Sequence, residues 1–259
     1  MEGMEGRQGG FPTTEWTAVV KAACTGDTQV RRQALDGLCR DYWMPLYAFA
    51  RRMGHDQHDA QDLTQGFFAY LLGKDLLTSA NRELGTLRTF LLKTFQRHIG
   101  DVLDRERALK RGGGREFISL NVNLQEVETL LSEAGTATSG HTPEALYDQA
   151  WAHAMLRAAV LHLADLETLA GRGRQFQVLE GCLNPDATDS RSAQEAGALL
   201  QMSEEAVRQT VSRLRKKFRQ CLRDRIAATL QDPDDARIDE ELHALKAGLR
   251  SRSASSAAG

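Results

Sequence analysis

The sequence has few residues that interrupt helices and lacks the alternating patterns that build sheets. It contains five prolines in 259 residues, and aromatic residues make up 6% of the chain. We find no sustained alternation of polar and apolar residues, whereas runs of Ala, Leu, Glu, Arg and Gln favour helix throughout. The sequence therefore predicts an all-α protein, long enough for two modest helical domains.

Cysteines and long apolar runs are also scarce. The four cysteines (Cys24, Cys39, Cys182 and Cys221) stand singly without the paired spacing of a zinc site, and no signal peptide precedes them. No apolar run is long enough to cross a membrane. These absences predict a cytoplasmic protein with reduced core thiols and no membrane partner.

The residue patterns of an enzyme active site are missing too. We find no nucleophile with a paired base and no cluster of carboxylates, and the glycines at 112–114 lack the Lys and Ser or Thr of a phosphate-binding loop. His55 and His58 lie beside Asp59, but no second pair of ligands accompanies them. We therefore expect a protein that is not an enzyme and has no catalytic residue, metal or cofactor.

An excess of positive charge is missing as well. The net charge is −2 and the isoelectric point is about 6.4, below the basic balance of a protein that binds DNA unaided. The charge is unevenly distributed, because residues 86–115 contain eight Lys or Arg against three acids, whereas residues 116–156 contain no Lys or Arg. Two basic elements separated by an acidic spacer are therefore expected.

What the sequence does contain is one stretch in which capping, spacing and charge agree. Ser192 and Glu195 form a capping box that starts a helix, and Ser203 offers a second N-cap so that another helix begins at Glu204. Three apolar residues are expected to close the first helix against its neighbour: Leu199, Leu200 and Met202. The pattern predicts a helix-turn-helix.

The second helix of this pair is strongly amphipathic. Its inward stripe recurs at intervals of three and four residues and consists of Val207, Val211, Leu214, Phe218 and Leu222. Its outward face carries the kinds of side chain that contact base edges and phosphates in a major groove: Gln209, Ser212, Arg213 and Lys216. The pattern favours DNA recognition, although an ordinary helical hairpin with a solvated basic face has the same composition.

The chain as a whole divides into five predicted segments. They are a disordered N-terminus (1–12), a helical domain (13–111), a flexible acidic linker (112–141), a helix-turn-helix domain (142–231) and a charged or disordered tail (232–259). Within the first domain, Pro45 predicts a kink or break in a helix. Within the tail, one short helix is expected over residues 237–249.

Two helical domains, the first ending in a basic helix and the second in a helix-turn-helix, resemble the extracytoplasmic-function (ECF, group IV) sigma factors of bacterial RNA polymerase. The resemblance covers about residues 35–111 and 144–230. EAGALLQMSEEAVRQTVSRLRKKFRQCL is similar to the promoter-recognising fourth region of that family. DAQDLTQGFF is similar to its polymerase-docking segment, and LRTFLLKTFQRHIGDVLDR to the segment that captures and melts the promoter. The chain departs from the family at Gln201, where a turn glycine is usual, and at Arg97, where many members have asparagine.

The resemblance implies a sigma factor that binds core RNA polymerase and promoter DNA in the bacterial cytoplasm and directs transcription initiation. Polymerase contacts would come from Asp62, Leu63, Gln65 and Phe68. Capture of the minus-10 element would involve Asn81, Arg88, Lys93, Arg97, His98 and Asp101. Recognition of the minus-35 element would involve Arg208, Gln209, Ser212, Arg213 and Lys216. The resemblance leaves open an anti-sigma or other regulatory protein as a further partner.

Two other functions stay open on the sequence alone. A one-component helix-turn-helix regulator would bind DNA without polymerase, and it would need a dimer and a large apolar ligand pocket. A helical signalling scaffold would bind only proteins. Specific DNA binding in the presence of polymerase would exclude the scaffold.

Overall fold

Helices make up the regular secondary structure of the residues that the computed structural model describes, which are 28–73, 86–108, 142–183, 192–230 and 232–250. No strand occurs in these ranges, so the prediction of an all-α chain is confirmed for them. The predictions for residues 1–12, for the linker at 112–141 and for Asn81 concern residues outside these ranges.

Eight α-helices occur in the described part of the chain. In chain order they are α1 (Thr28–Arg52), α2 (Gln57–Gly73), α3 (Leu87–Ala108), α4 (Pro143–Leu169), α5 (Gly173–Leu179), α6 (Ala193–Leu200), α7 (Glu204–Ala228) and α8 (Asp235–Arg250). A short 3₁₀ helix, Glu180–Leu183, follows α5 directly.

The helices group into two units with their own internal contacts. The first unit contains α1, α2, α3, the part of α4 up to Ala152, and α8, whereas the second unit contains residues 153–226. These units have different boundaries from the predicted domains, because α4 and α7 each continue across a boundary. Most of the segment that we expected to be a charged or disordered tail is α8, which includes the short helix expected at 237–249.

The core of the first unit is aromatic. Phe49 of α1, Phe67 of α2 and Phe95 of α3 are almost completely buried. The ring centroids lie 6.2 Å apart for Phe49 and Phe95, and 5.1 Å apart for Phe67 and Phe95, both pairs in edge-to-face geometry. Aromatic pairs in this geometry add about 0.5–1.5 kcal/mol to the burial of their surface. These contacts hold α1, α2 and α3 together.

Pro45 lies inside α1, and the helix continues past it to Arg52. Pro45 was predicted to cause a kink or a break, and the break does not occur. Proline in a helix interior removes one backbone hydrogen bond and costs about 3 kcal/mol. Residues 41–50 are all buried, and each fully buried apolar side chain contributes about 1.5–3 kcal/mol. Burial of this segment is enough to offset the cost of the proline.

Arg88 is a largely buried charge of the first unit, with a side chain only 15% exposed. Its guanidinium lies over the ring of Trp151, 4.6 Å from the centroid, and binds the carboxylate of Asp148. Its Nε lies 3.5 Å from Oε2 of Glu241. The hydroxyl of Tyr147 donates a hydrogen bond of 3.0 Å to the Arg88 carbonyl oxygen. Arg88 therefore joins α3 to α4 and α8.

Helix α8 is held by a buried stripe that contains one acid. The stripe consists of Ile238, Glu241, Leu245 and Gly248. A Cβ atom on Gly248 would lie 3.0 Å from the carbonyl oxygen of Asp148, so the close approach of α8 and α4 favours glycine there. Burial raises the pKa of Glu241, and the charge of Arg88 acts in the opposite direction. We expected an exposed tail because this segment has many charged residues. Its sequence does not reveal that Glu241 has a buried cationic partner.

Replacement of Arg88 by Met tests whether this buried pair is structural. Breaking a buried pair by removing one partner costs about 3–5 kcal/mol, because the other charge is left without compensation. We expect Arg88→Met to lower the free energy of unfolding by about this amount, and the added change Glu241→Leu to recover most of the loss. Denaturant unfolding measures both.

Lys93→Met is the matched control, because Lys93 is exposed on the same helix. It should change the free energy of unfolding by no more than about 0.5 kcal/mol. Equal effects of Arg88→Met and Lys93→Met would show that Arg88 does not stabilise the first unit.

Candidate nucleic-acid interface

Two side-chain caps set the starts of α6 and α7 in the second unit. The Glu195 N–H donates to the Ser192 hydroxyl at 3.2 Å, and the Ser192 N–H donates to the Glu195 carboxylate at 2.9 Å. The Ala206 N–H donates to the Ser203 hydroxyl at 3.2 Å. Each cap satisfies backbone donors that the first helical turn leaves unpaired. Both helices begin at the residues that the sequence predicted.

The turn between α6 and α7 is short and closely packed. Gln201 adopts a left-handed conformation with φ of 55°, and the Met202 N–H donates to the Gly197 carbonyl oxygen at 2.9 Å. A Cβ atom on Gly197 would lie 2.7 Å from the Met202 carbonyl oxygen. Glycine at 197 is therefore what permits the tight turn, whereas Gln201 adopts a φ that glycine would adopt at lower cost.

Leu199 does not close α6 against its neighbour as predicted, because its side chain is 51% exposed. The residues of α6 that are buried are Ala196 and Gly197, and Leu200 and Met202 are half-buried. Leu199 points about 110° away from the centre of this buried side, since successive residues of a helix are about 100° apart. The prediction for Leu199 is wrong for this reason.

The N-terminal half of α7 separates a buried stripe from an exposed polar face. In the predicted inward stripe, Val207, Leu214 and Leu222 are buried, and Val211 and Phe218 are half-buried. All five residues predicted for minus-35 recognition are exposed and lie on one side of the helix: Arg208, Gln209, Ser212, Arg213 and Lys216. These five residues are called the polar face of α7 below.

Two side chains of the polar face bind acids of the preceding helical turn. Arg208 lies 2.9 Å from the carboxylate of Glu204, and the Gln209 amide donates to Glu205 at 3.2 Å. Exposed ion pairs and amide–carboxylate hydrogen bonds at this helical spacing contribute only about 0.2–0.5 kcal/mol each. A phosphate or a base edge could therefore replace either acid at small cost.

Other cations of α7 bind groups within their own unit. The guanidinium of Arg215 donates to the carbonyl oxygen of Cys182 from Nε at 3.1 Å and from Nη2 at 2.7 Å. Lys217 binds the carboxylate of Glu167. The helix contains eight Lys or Arg residues and three acids, so its charge count overstates the number of cations that are available to DNA.

Glu167 of α4 is the buried charge of the second unit, with a side chain only 3% exposed. One carboxylate oxygen binds Lys217 of α7, and the other lies 2.6 Å from Nε of Arg172, directly before α5. The hydrogen bond from Arg172, together with the bond and charge of Lys217, lowers the pKa of Glu167 although burial opposes this. Glu167 therefore fixes α7 relative to α4 and α5 inside the second unit. Nothing in the local sequence around Glu167 distinguishes it from an exposed acid.

The residues predicted for minus-10 capture separate into exposed and internal side chains. Lys93, Arg97 and Asp101 are exposed and lie on one face of α3. Arg88 is committed to the buried contacts with α4 and α8 described above. The structure thus brings three of the predicted residues together, and one of those three is acidic.

His98 lies in the aromatic core of the first unit and not on the exposed face of α3. Its ring centroid is 5.8 Å from that of Phe67 and 5.1 Å from that of Tyr70. A Cβ atom on Gly66 would lie 3.5 Å from its Nε2. A DNA contact by the His98 side chain is therefore not compatible with this placement, because neighbouring side chains cover the ring.

The predicted polymerase contacts also separate by burial. Leu63 and Phe68 are buried, because they belong to the inward stripe of α2. Asp62 and Gln65 are partly exposed, and Oδ2 of Asp62 lies 3.5 Å from Nδ1 of His58. Of these four residues, Asp62 and Gln65 are the two with side chains at the surface.

The described residues contain no group of three or more His, Cys, Asp or Glu side chains that could hold a metal. None of their helices is long and apolar enough to cross a membrane. Cys39, Cys182 and Cys221 form no disulfide with one another. Burial raises the pKa of Cys39 to about 12. Cys39 is therefore a poor nucleophile near neutral pH.

Comparisons of the chain with protein-family models, with curated proteins and with solved structures find no match. The chemistry of the chain itself is therefore the guide to its function. Its most informative surface is the polar face of α7, which is exposed, partly basic and held in place by two caps and by Glu167.

Replacement of Glu167 by Gln should destabilise the second unit most at neutral pH. Hydrogen bonds to charged groups contribute about 1.5–3 kcal/mol, and we expect a loss of about 1–3 kcal/mol near pH 7. Because the pKa of Glu167 is lowered by folding, its contribution is present above the ordinary value of 4.5 and is lost as the pH falls further. The difference between the variant and the parent protein should therefore shrink in acid, as denaturant unfolding at several pH values can measure.

Glu205→Gln is the control, because Glu205 is an exposed acid on α7. It should change the free energy of unfolding by at most about 0.5 kcal/mol. A loss for Glu167→Gln that did not depend on pH would contradict the assignment to the ionised carboxylate.

Proposed function

We propose that this protein is a sigma factor that binds core RNA polymerase and directs it to promoters, with α6 and α7 forming a helix-turn-helix that recognises DNA. The observation that carries the proposal is the polar face of α7. Its amide, hydroxyl and guanidinium groups are exposed together near the N-terminus of a helix that begins directly after a short turn. In helix-turn-helix proteins this part of the second helix contacts base edges in the major groove.

The chemistry of the polar face suits both kinds of DNA contact. Arg213 can make two parallel hydrogen bonds to guanine, and the Gln209 amide can do the same to adenine. Lys216 and Arg208 can bind phosphates, which position a helix without selecting a sequence. Ser212 lies among them and can donate to either kind of group.

Acids beside the polar face of α7 support the proposal that tight promoter binding requires polymerase. Glu204 and Glu205 lie in the first turn of α7 and are exposed, so they repel phosphates near the residues that would enter the groove. The whole chain has a net charge of −2. We therefore expect the free protein to bind promoter DNA weakly. Tight sequence-specific binding by the free chain at physiological salt would favour a one-component regulator instead.

Contacts with polymerase and with the minus-10 element are assigned to the first unit. Asp62 and Gln65 of α2 supply an exposed acidic and polar surface for polymerase. Lys93 and Arg97 of α3 are exposed cations that can bind the phosphates of the minus-10 element. Asp101 on the same face would repel phosphate, so we expect it to lie beside bases or polymerase.

A double change on α2 tests the polymerase contact. Asp62→Ala combined with Gln65→Arg removes a carboxylate and adds a cation on the partly exposed side of the helix. We expect it to abolish copurification of core RNA polymerase with the tagged protein while helicity measured by circular dichroism stays unchanged.

Gln57→Arg combined with Asp59→Ala makes the same kind of change at exposed positions of the same helix. This control should copurify core polymerase like the parent protein. If the Asp62 and Gln65 variant is folded and still copurifies polymerase at the parental level, the docking surface is wrong. If the parent protein recovers no polymerase either, the proposed function fails.

Separate changes in the polar face test which residue selects sequence. If Arg213 contacts a base, Arg213→Ala should cost about 1–3 kcal/mol and relax the preference at one promoter position. Lys216→Ala removes a phosphate contact. It should weaken binding to all promoters similarly, and it should reduce the slope of log affinity against log salt concentration by about one. Transcription from a library of promoter variants measures both effects. Equal losses across the library for Arg213→Ala would mean that Arg213 binds the backbone.

A further inference from the structure

A cavity of about 430 Å³ lies beside the polar face of α7, within the second unit. Its walls include Glu167, Arg172, Gln175, Met202, Arg213 and Lys217. Small-molecule sites in proteins have volumes of about 300–1,000 Å³. The cavity is therefore large enough for a small organic molecule.

The cavity has an excess of positive charge. Three cations line it, Arg172, Arg213 and Lys217, against the single carboxylate of Glu167. Glu167 binds Arg172 and Lys217. Arg213 has no acidic partner among the described residues and donates to the hydroxyl of Thr210 at 3.3 Å. Within the part of the chain that the structure describes, no carboxylate therefore compensates the charge of Arg213 in the cavity.

A second polar group at the cavity also has a weak acceptor. The side-chain amide of Gln175 donates to Sδ of Met202 at 3.3 Å, and a thioether sulfur is a poor acceptor compared with an anionic oxygen. Met202 and Leu214 supply apolar surface in the same walls. Two donors that have only neutral acceptors, Arg213 and Gln175, thus line one cavity together with an apolar surface.

We propose that this cavity binds a small organic anion, in which one phosphate or carboxylate group is attached to an apolar group. The anionic group is expected at Arg213 and Gln175, because the other two cations are already held by Glu167. The apolar group would lie against Met202 and Leu214. An anion at this position accepts from both donors and removes the uncompensated charge.

If the proposed function holds, a ligand in the cavity would also affect the recognition of DNA. Arg213 lines the cavity and also belongs to the polar face of α7. A guanidinium that holds an anion cannot at the same time make two hydrogen bonds to guanine. The ligand would therefore compete with base recognition by Arg213 and change promoter preference.

Binding can be tested on the full chain without DNA. The chain has six methionines, and NMR of selectively ¹³C-methyl-labelled methionine would report on Met202 at the cavity wall. Met53, which is 52% exposed in the first unit, is the internal reference. Phenyl phosphate is the probe, because it combines one anionic group with an apolar ring. We expect a saturable shift of the Met202 signal with a Kd of about 1 mM or tighter, and no shift with phenol.

Two variants locate the binding site. Arg213→Gln should weaken binding of phenyl phosphate at least tenfold. Arg219→Gln removes an exposed cation elsewhere on α7 and should leave binding unchanged. No saturable shift of Met202, an equal shift with phenol, or an equal loss for the two variants would each overturn the proposal. Unchanged signals of the other methionines establish that each variant is folded.

A promoter-binding experiment with core polymerase separates this proposal from the proposed function. Phenyl phosphate should reduce the preference of the parent protein at the promoter position assigned to Arg213, and it should not affect Arg213→Gln. If Met202 responds to the probe and the chain binds no promoter, the cavity site stands and the proposed function fails. If Met202 responds and promoter preference does not change, the competition with base recognition is wrong.

Discussion

Burial of charge is the constraint on which the arrangement of the helices depends. Each unit contains a largely buried ion that binds partners on other helices, Arg88 in the first and Glu167 in the second. Their partners come from helices that are distant in sequence, such as Glu241 of α8 and Lys217 of α7. Removing a partner from a buried ion costs several kcal/mol. The helices that supply partners therefore cannot leave their unit without a penalty that is a large fraction of the stability of a domain.

This constraint explains which parts of the structure the sequence could predict. The starts of α6 and α7 depend on hydrogen bonds between residues three apart, such as Ser192 and Glu195, and such local signals are visible in the sequence. The inward stripe of α7 is equally local, because helical periodicity determines it. The two buried ions could not be predicted, because an Arg or Glu that will be buried has the same local pattern as an exposed one. His98 and Arg88 were assigned to a surface that other side chains cover.

The sequence also could not predict which cations of α7 are exposed and which bind groups within their own unit. In the sequence, the basic residues at 213–219 form one run of charge. In the structure, Arg215 binds a carbonyl oxygen and Lys217 binds a buried carboxylate, whereas Arg213, Lys216 and Arg219 remain exposed. Each cation that contacts a phosphate contributes about 0.9 to the slope of affinity against salt. The two phosphate contacts proposed for α7, by Arg208 and Lys216, would together give a modest slope of about 1.8.

The position of Arg213 at the edge of both the polar face and the cavity limits what a ligand there could do. A good bidentate contact contributes about 1–3 kcal/mol of discrimination between bases. A ligand present at ten times its Kd stabilises the state it binds by about 1.4 kcal/mol, and each further tenfold increase in concentration adds about the same amount. Because Arg213 is the residue of the polar face that lines the cavity, the ligand can cancel at most the contribution of Arg213, while the proposed contacts of Arg208, Gln209 and Lys216 persist. Such a ligand would shift the choice among promoters and would not abolish promoter binding.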